Sequence, residues 1–106
     1  MSMFDLTIDD VLAVYAQLKD RYDLTLTNTL ALDDGFTIDC PIVVGHAHGQ
    51  EIWLYEYDGL FVMDVMDAGR TMGTHWHPNN VEDAVHDLAE FMQGRSDYRL
   101  QRFNRP

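Results

Sequence analysis

The sequence predicts an α+β domain: an N-terminal helix, an antiparallel meander of four to five strands and a C-terminal helix, with both helices on one sheet face. Three observations carry that expectation. Apolar residues recur at helical spacing near both ends of the chain, and between them they alternate at period two. Asp58-Gly59 then joins two alternating runs as a two-residue type I′ hairpin turn does. At 106 residues the chain holds one domain, 1–94, followed by an Arg-rich tail, 95–106.

Thr7 followed by Asp9 and Asp10 reads as a helix N-cap with acids at the positive end of the helix dipole. Ile8, Val11, Leu12, Tyr15, Leu18 and Tyr22 repeat at helical spacing, which predicts a helix from Ile8 to Tyr22. From Leu24 to Leu32 leucines alternate with Thr and Ala, as a half-buried strand requires, and a loop with a short turn from Asn28 is the rival. Phe36, Ile38, Cys40, Ile42 and Val44 resume the alternation with Pro41 inside it, so strand 2 is expected to be interrupted. Strands 3 and 4 run Glu51 to Tyr57 and Leu60 to Asp67, and strand 5 runs Arg70 to His77, entered through Ala68-Gly69 and stopped by Pro78. Asn80 caps the last helix, Val81, Ala84, Val85, Leu88, Phe91 and Met92 form its apolar stripe, and Gly94 ends it.

A two-residue loop fixes register, so Asp58-Gly59 pairs Tyr57 with Leu60, Tyr55 with Val62 and Trp53 with Asp64 on one face. The opposite face, with Ile52, Leu54, Phe61, Met63 and Val65, is the cleaner apolar set and is assigned to the helices. Extending the ladder through Ala68-Gly69 pairs Val62 with His75 and Leu60 with His77, turning both histidines away from the helices and Trp76 toward them. A three-residue loop Ala47-His48-Gly49 matches Val44 to Ile52 and Ile42 to Leu54 on the helix side. The resulting outer face carries Trp53, Tyr55, Tyr57, Val62, His75 and His77, an aromatic surface of the kind that marks a partner or ligand site. The competing explanation is that strand 1, the tail or a second subunit covers it.

Fourteen Asp and four Glu against one Lys and six Arg give a net charge of −11, which argues against nucleic acid and anionic membrane surfaces as partners. The imbalance is uneven. Residues 1–93 hold three bases against seventeen acids, whereas 94–106 hold four Arg and one Asp, so the tail is expected to dock on acidic surface or to remain a solvated terminus. No apolar run reaches ~18 residues, and the acidic first ten residues are unlike a signal peptide, so the expected location is cytoplasmic.

Two His-X-His pairs, His46-Ala47-His48 and His75-Trp76-His77, invite a metal reading because alternate strand residues point the same way. In a meander the pairs fall at opposite ends of the sheet, so one four-histidine site is not expected, and turn or rim histidines are the plainer explanation. Cys40 has no acid-base partner identifiable from the sequence and reads as a buried structural cysteine, which leaves no nucleophile. His86, with Glu82, Asp83 and Glu90 at neighbouring spacings, reads as part of a solvated helix face. No glycine-rich loop feeds a helix N-terminus, and no catalytic residue, cofactor or metal is expected.

Thr74-His75-Trp76-His77-Pro78-Asn79-Asn80, followed by an acid-capped helix ending in Phe91-Met92-Gln93-Gly94, resembles the C-terminal part of a family of small bacterial proteins with a Thr-His-X-His-Pro segment. The resemblance extends loosely back to Asp39-Cys40-Pro41 and covers about half the chain. It implies a bacterial, cytoplasmic origin and treats Thr74 to Pro78 as a unit, without implying an activity. The expected function is a non-enzymatic interaction module that binds a protein partner, or a second copy as a homodimer, through the outer face. The alternative is a small-ligand or metal-binding protein using His75 and His77, and a third reading is an enzyme built on the same residues.

Overall fold

Capping starts both helices where the sequence places them. In the computed structural model, which describes residues 5–31, 35, 37–66 and 72–94, α1 spans Ile8–Leu18 and α2 spans Val81–Met92. The Asp10 carboxylate accepts the Thr7 backbone N–H at 2.8 Å, and the Asn80 side chain accepts the Asp83 N–H at 2.8 Å, so donors that a helix start leaves unpaired are satisfied. α1 stops four residues short of the predicted Tyr22. The N–H groups of Arg21 and Tyr22 both bond the Leu18 carbonyl, a tight turn from which Tyr22 still packs on the core and so keeps its helical spacing.

Five antiparallel strands follow one another across the sheet in chain order: β1 Leu24–Ala31, β2 Thr37–Ala47, β3 Gln50–Tyr57, β4 Leu60–Met66 and β5 Met72–Trp76. Both helices pack on one face. Val11, Val14 and Leu18 of α1 and Ala84, Leu88 and Phe91 of α2 share a buried cluster with Ile52, Leu54, Phe61, Met63, Val65 and Trp76. Gly45 belongs to the same face for want of space: a Cβ there would stand 2.9 Å from the Met92 sulfur and 3.0 Å from a Leu24 methyl. The Trp76 indole N–H donates to Asp87 at 2.9 Å, tying β5 to α2 through a carboxylate that is wholly buried. No described helix is long and apolar enough to cross a membrane.

The hairpin at Asp58-Gly59 has the predicted register, with Tyr57 opposite Leu60 and left-handed φ at both turn residues. The β2–β3 hairpin departs from expectation by one residue. His48 and Gly49 are both left-handed, φ 57° and 77°, so this too is a two-residue loop, with Ala47 opposite Gln50. One residue of slip reverses the strand. Val43 joins the helix-facing cluster, while Ile42 and Val44 turn to the outer face and form a second buried cluster with Trp53 and Met66, on which Leu30, Ile38, Cys40 and Tyr55 pack.

β5 departs by two residues, which preserves the faces but changes the neighbours: His75 stands opposite Asp64 rather than Val62, and the strand ends at Trp76, leaving His77 unpaired with Leu60. A register shift between Val65 and Met66 accommodates the change, and the Ala68-Gly69 connection lies outside the described residues, as does the Arg95–Arg105 tail. β2 is continuous rather than interrupted. Pro41 has no N–H for a ladder, and its effect is local: the β1–β2 register shifts between Thr27 and Thr29, and pairing of β2 with β3 begins only at Val43 opposite Leu54. The first half of β2 therefore leaves β3, and among the described residues Tyr55, Glu56 and Tyr57 have no strand partner on that side.

Candidate functional site

Where β2 leaves β3, a cavity of about 600 Å³ opens on the outer face. Ile38 and Cys40 of β2 line one side, Tyr55 and Val62 lie between, and His75 and His77 line the other. Asp64 is central to the polar part. Its side chain is only 2% exposed, yet one oxygen accepts His75 Nδ1–H at 2.5 Å and the other accepts the Tyr55 hydroxyl at 3.1 Å. Burial, and then the Asp64 charge and hydrogen bond, push the Tyr55 phenol above its ordinary pKa, so it stays a donor. A carboxylate only accepts, so in its neutral form the His75 ring carries its proton on Nδ1 and a lone pair on Nε2.

His77 is oriented by a gap in the ladder. In the two-residue β3–β4 hairpin Tyr57 and Leu60 exchange backbone hydrogen bonds, so those of Phe61 point toward β5, where its partner in register would be Pro78. Proline has no N–H to give. His77 Nδ1–H donates to the Phe61 carbonyl instead, at 2.9 Å, which again leaves Nε2 with its lone pair. The two ring planes are perpendicular with centroids 4.8 Å apart, and His75 is about half exposed. Burial, followed by Glu56 and Asp39, raises the pKa of the Cys40 thiol, so Cys40 contributes a protonated side chain and no thiolate nucleophile.

Of the six residues predicted to form the outer surface, Tyr55, Tyr57, Val62, His75 and His77 line this one cavity. Trp53 does not. It is fully buried in the second cluster with Val44 and Ile42 beside it, and its indole N–H donates to the Glu51 carboxylate. Tyr57 is 71% exposed at the rim. Cys40, Ile38 and the role of Asp64 escape the sequence reading. The alternation of Ile38, Cys40 and Ile42 puts them on one face, but only the true register says which.

The first histidine pair is built differently. His46 donates Nε2–H to Glu51 at 2.7 Å, and His48 occupies the left-handed turn position with its ring against Gly94. His46 lies in register with Glu51 and Met66, five residues along β4 from the Phe61 carbonyl that holds His77, or about 17 Å. The expected separation of the two pairs therefore holds. His86 is exposed, as is Glu82, which fits the solvated face expected of it, and its ring contacts Asp87 at 3.1 Å and Glu90 at 3.5 Å, two acids that are themselves buried. Comparison of the chain with protein-family models, with curated proteins and with solved structures gives no match.

Proposed function

We propose that the chain binds a small ligand in the cavity between the first half of β2 and β5, with the Nε2 atoms of His75 and His77 as its polar anchors and Tyr55 and Val62 as apolar contact. One observation carries the proposal: two imidazoles line the same concave surface, and each has its Nδ1 already committed to a fixed acceptor. Small-molecule sites typically occupy about 300–1,000 Å³ and combine apolar walls with a few placed polar groups, and this cavity has that character. The lone Cys40, kept as a thiol, suits a reducing setting such as the cytoplasm.

Titration with a set of aromatic and heteroaromatic fragments in chelator-containing buffer, followed by amide and methyl chemical shifts, tests the proposal. Saturable shifts are expected at Tyr55, Val62, His75 and His77, and Val62→Trp, which fills the floor, should abolish them. Shifts that never saturate, or that centre on the helices, would contradict it. A protein partner or second copy seated on the same face is the second reading, favoured by the exposed rim residue Tyr57. Concentration-dependent sizing that Tyr57→Ala shifts toward monomer would favour that reading instead.

A further inference from the structure

We propose that His75 and His77 together form a two-imidazole site for a first-row divalent cation of the Zn²⁺, Ni²⁺ or Cu²⁺ type. The inference rests on the cavity reading above and names the chemistry of its polar end.

A histidine that ligates a metal through one nitrogen usually donates the N–H of the other to a carboxylate or a backbone carbonyl, which fixes the ring and raises its basicity. Both arrangements occur here side by side: Asp64 holds Nδ1 of His75, and the Phe61 carbonyl holds Nδ1 of His77. Spacing agrees. A nitrogen–metal bond of about 2.0–2.1 Å puts each ring centre about 3.2 Å from the ion, so two rings at a tetrahedral angle have centres about 5.2 Å apart. The observed separation is 4.8 Å.

The other histidines are not prepared in this way. His46 uses its Nε2 on Glu51, His86 has a carboxylate at each nitrogen, and His48 sits in a turn against Gly94. The net charge of −11 favours a cation over an anion at this end of the sheet, and Asp39 and Glu56 are among the residues lining the cavity. Among the described residues no three or more His, Cys, Asp and Glu side chains are gathered to hold an ion. The described residues thus supply two ligands, and the remaining coordination positions go to water or to donor atoms of the molecule in the cavity. Borderline ions that accept imidazole suit such a site, whereas Mg²⁺ and Ca²⁺, which require oxygen, do not.

Equilibrium dialysis of the full chain against Zn²⁺ and Ni²⁺ reads the site directly. One ion per chain is expected, with affinity lowered at least 10-fold by His75→Ala and by His77→Ala and unchanged by His46→Ala. Asp64→Asn, which keeps both rings but removes the charged acceptor, should weaken uptake by about 10–100-fold. Full affinity in the His75→Ala/His77→Ala double variant would overturn the inference. Should a variant fail to fold, substoichiometric Cu²⁺ added to the unmodified chain decides: the ring signals of His75 and His77 broaden first if the inference holds, and broadening that begins at His46, His48 or His86 contradicts it. Fragment binding in chelator without ion uptake would remove the cation and leave the cavity reading intact. Absence of both would remove both.

Discussion

His46-Ala47-His48 and His75-Trp76-His77 are the same three-residue pattern at opposite ends of one sheet, and His46 is held through the opposite nitrogen from His75 and His77. At the β2–β3 end Glu51 takes Nε2–H of His46, so the outward nitrogen is spent on an acid that also accepts the buried Trp53 indole. At the β5 end Asp64 and the Phe61 carbonyl take Nδ1–H, which leaves Nε2 uncommitted in two residues that line the cavity. The motif alone is silent about chemistry. Which nitrogen the surrounding fold occupies decides whether a histidine is structural glue or an available base and ligand.

Replacing the acid at each end should separate the two roles most strongly. Glu51→Ala leaves the fully buried Trp53 N–H without its acceptor, and a loss of about 1–3 kcal/mol is expected in urea unfolding. Asp64→Asn keeps an acceptor for His75 and should cost less than about 1 kcal/mol, while weakening occupancy of the cavity. Equal stability losses, or a larger one at Asp64, would break the distinction between an acid that serves the fold and an acid that serves the site.

An effect smaller than that of Glu51→Ala is expected from Tyr55→Phe, about 0.5–1.5 kcal/mol at neutral pH for the lost bond to Asp64. Its pH dependence carries more information. Because the folded-state pKa of Tyr55 is raised, the folded chain holds that proton more tightly than the unfolded one, so the associated stability is present in full below about pH 10 and is lost as pH rises from there. Stability measured from pH 8 to 11 should therefore fall less steeply for Tyr55→Phe than for the unmodified chain, and parallel profiles would mean that neither burial nor Asp64 raises the phenol's pKa.

The smallest expected change belongs to the turn. His48→Asn places a residue favoured at left-handed φ in the same position and should alter stability by no more than about 0.5 kcal/mol, with ligand and ion binding unaffected. Loss of either binding would return the first pair to the site.

The helices, their caps and the β3–β4 hairpin are legible in the sequence because each rests on a local rule that nothing elsewhere contradicts. The β2 register is not. Ile42-Val43-Val44 is apolar at both parities and both faces of the sheet are partly buried, so alternation cannot choose between them, and the turn chemistry of His48-Gly49 decides. In β5 the parity of His75 and His77 survives a two-residue error, which is why the face was identifiable, whereas the Asp64–His75 contact depends on the absolute register and on an irregularity at Val65/Met66 that no residue type announces. The His77 bond to Phe61 was within reach: His-Pro at a strand end is a ladder losing its N–H, with a side-chain donor next to it.

Long-range ¹H–¹⁵N spectra of the five histidine rings test the central claim most directly, since they show which nitrogen carries the proton. The account predicts that His75 and His77 are protonated on Nδ1 with Nε2 bare, and that His46 is protonated on Nε2. His75 and His77 protonated on Nε2 would contradict it, because no lone pair would then face the cavity and the site would have neither its polar anchors nor its cation ligands.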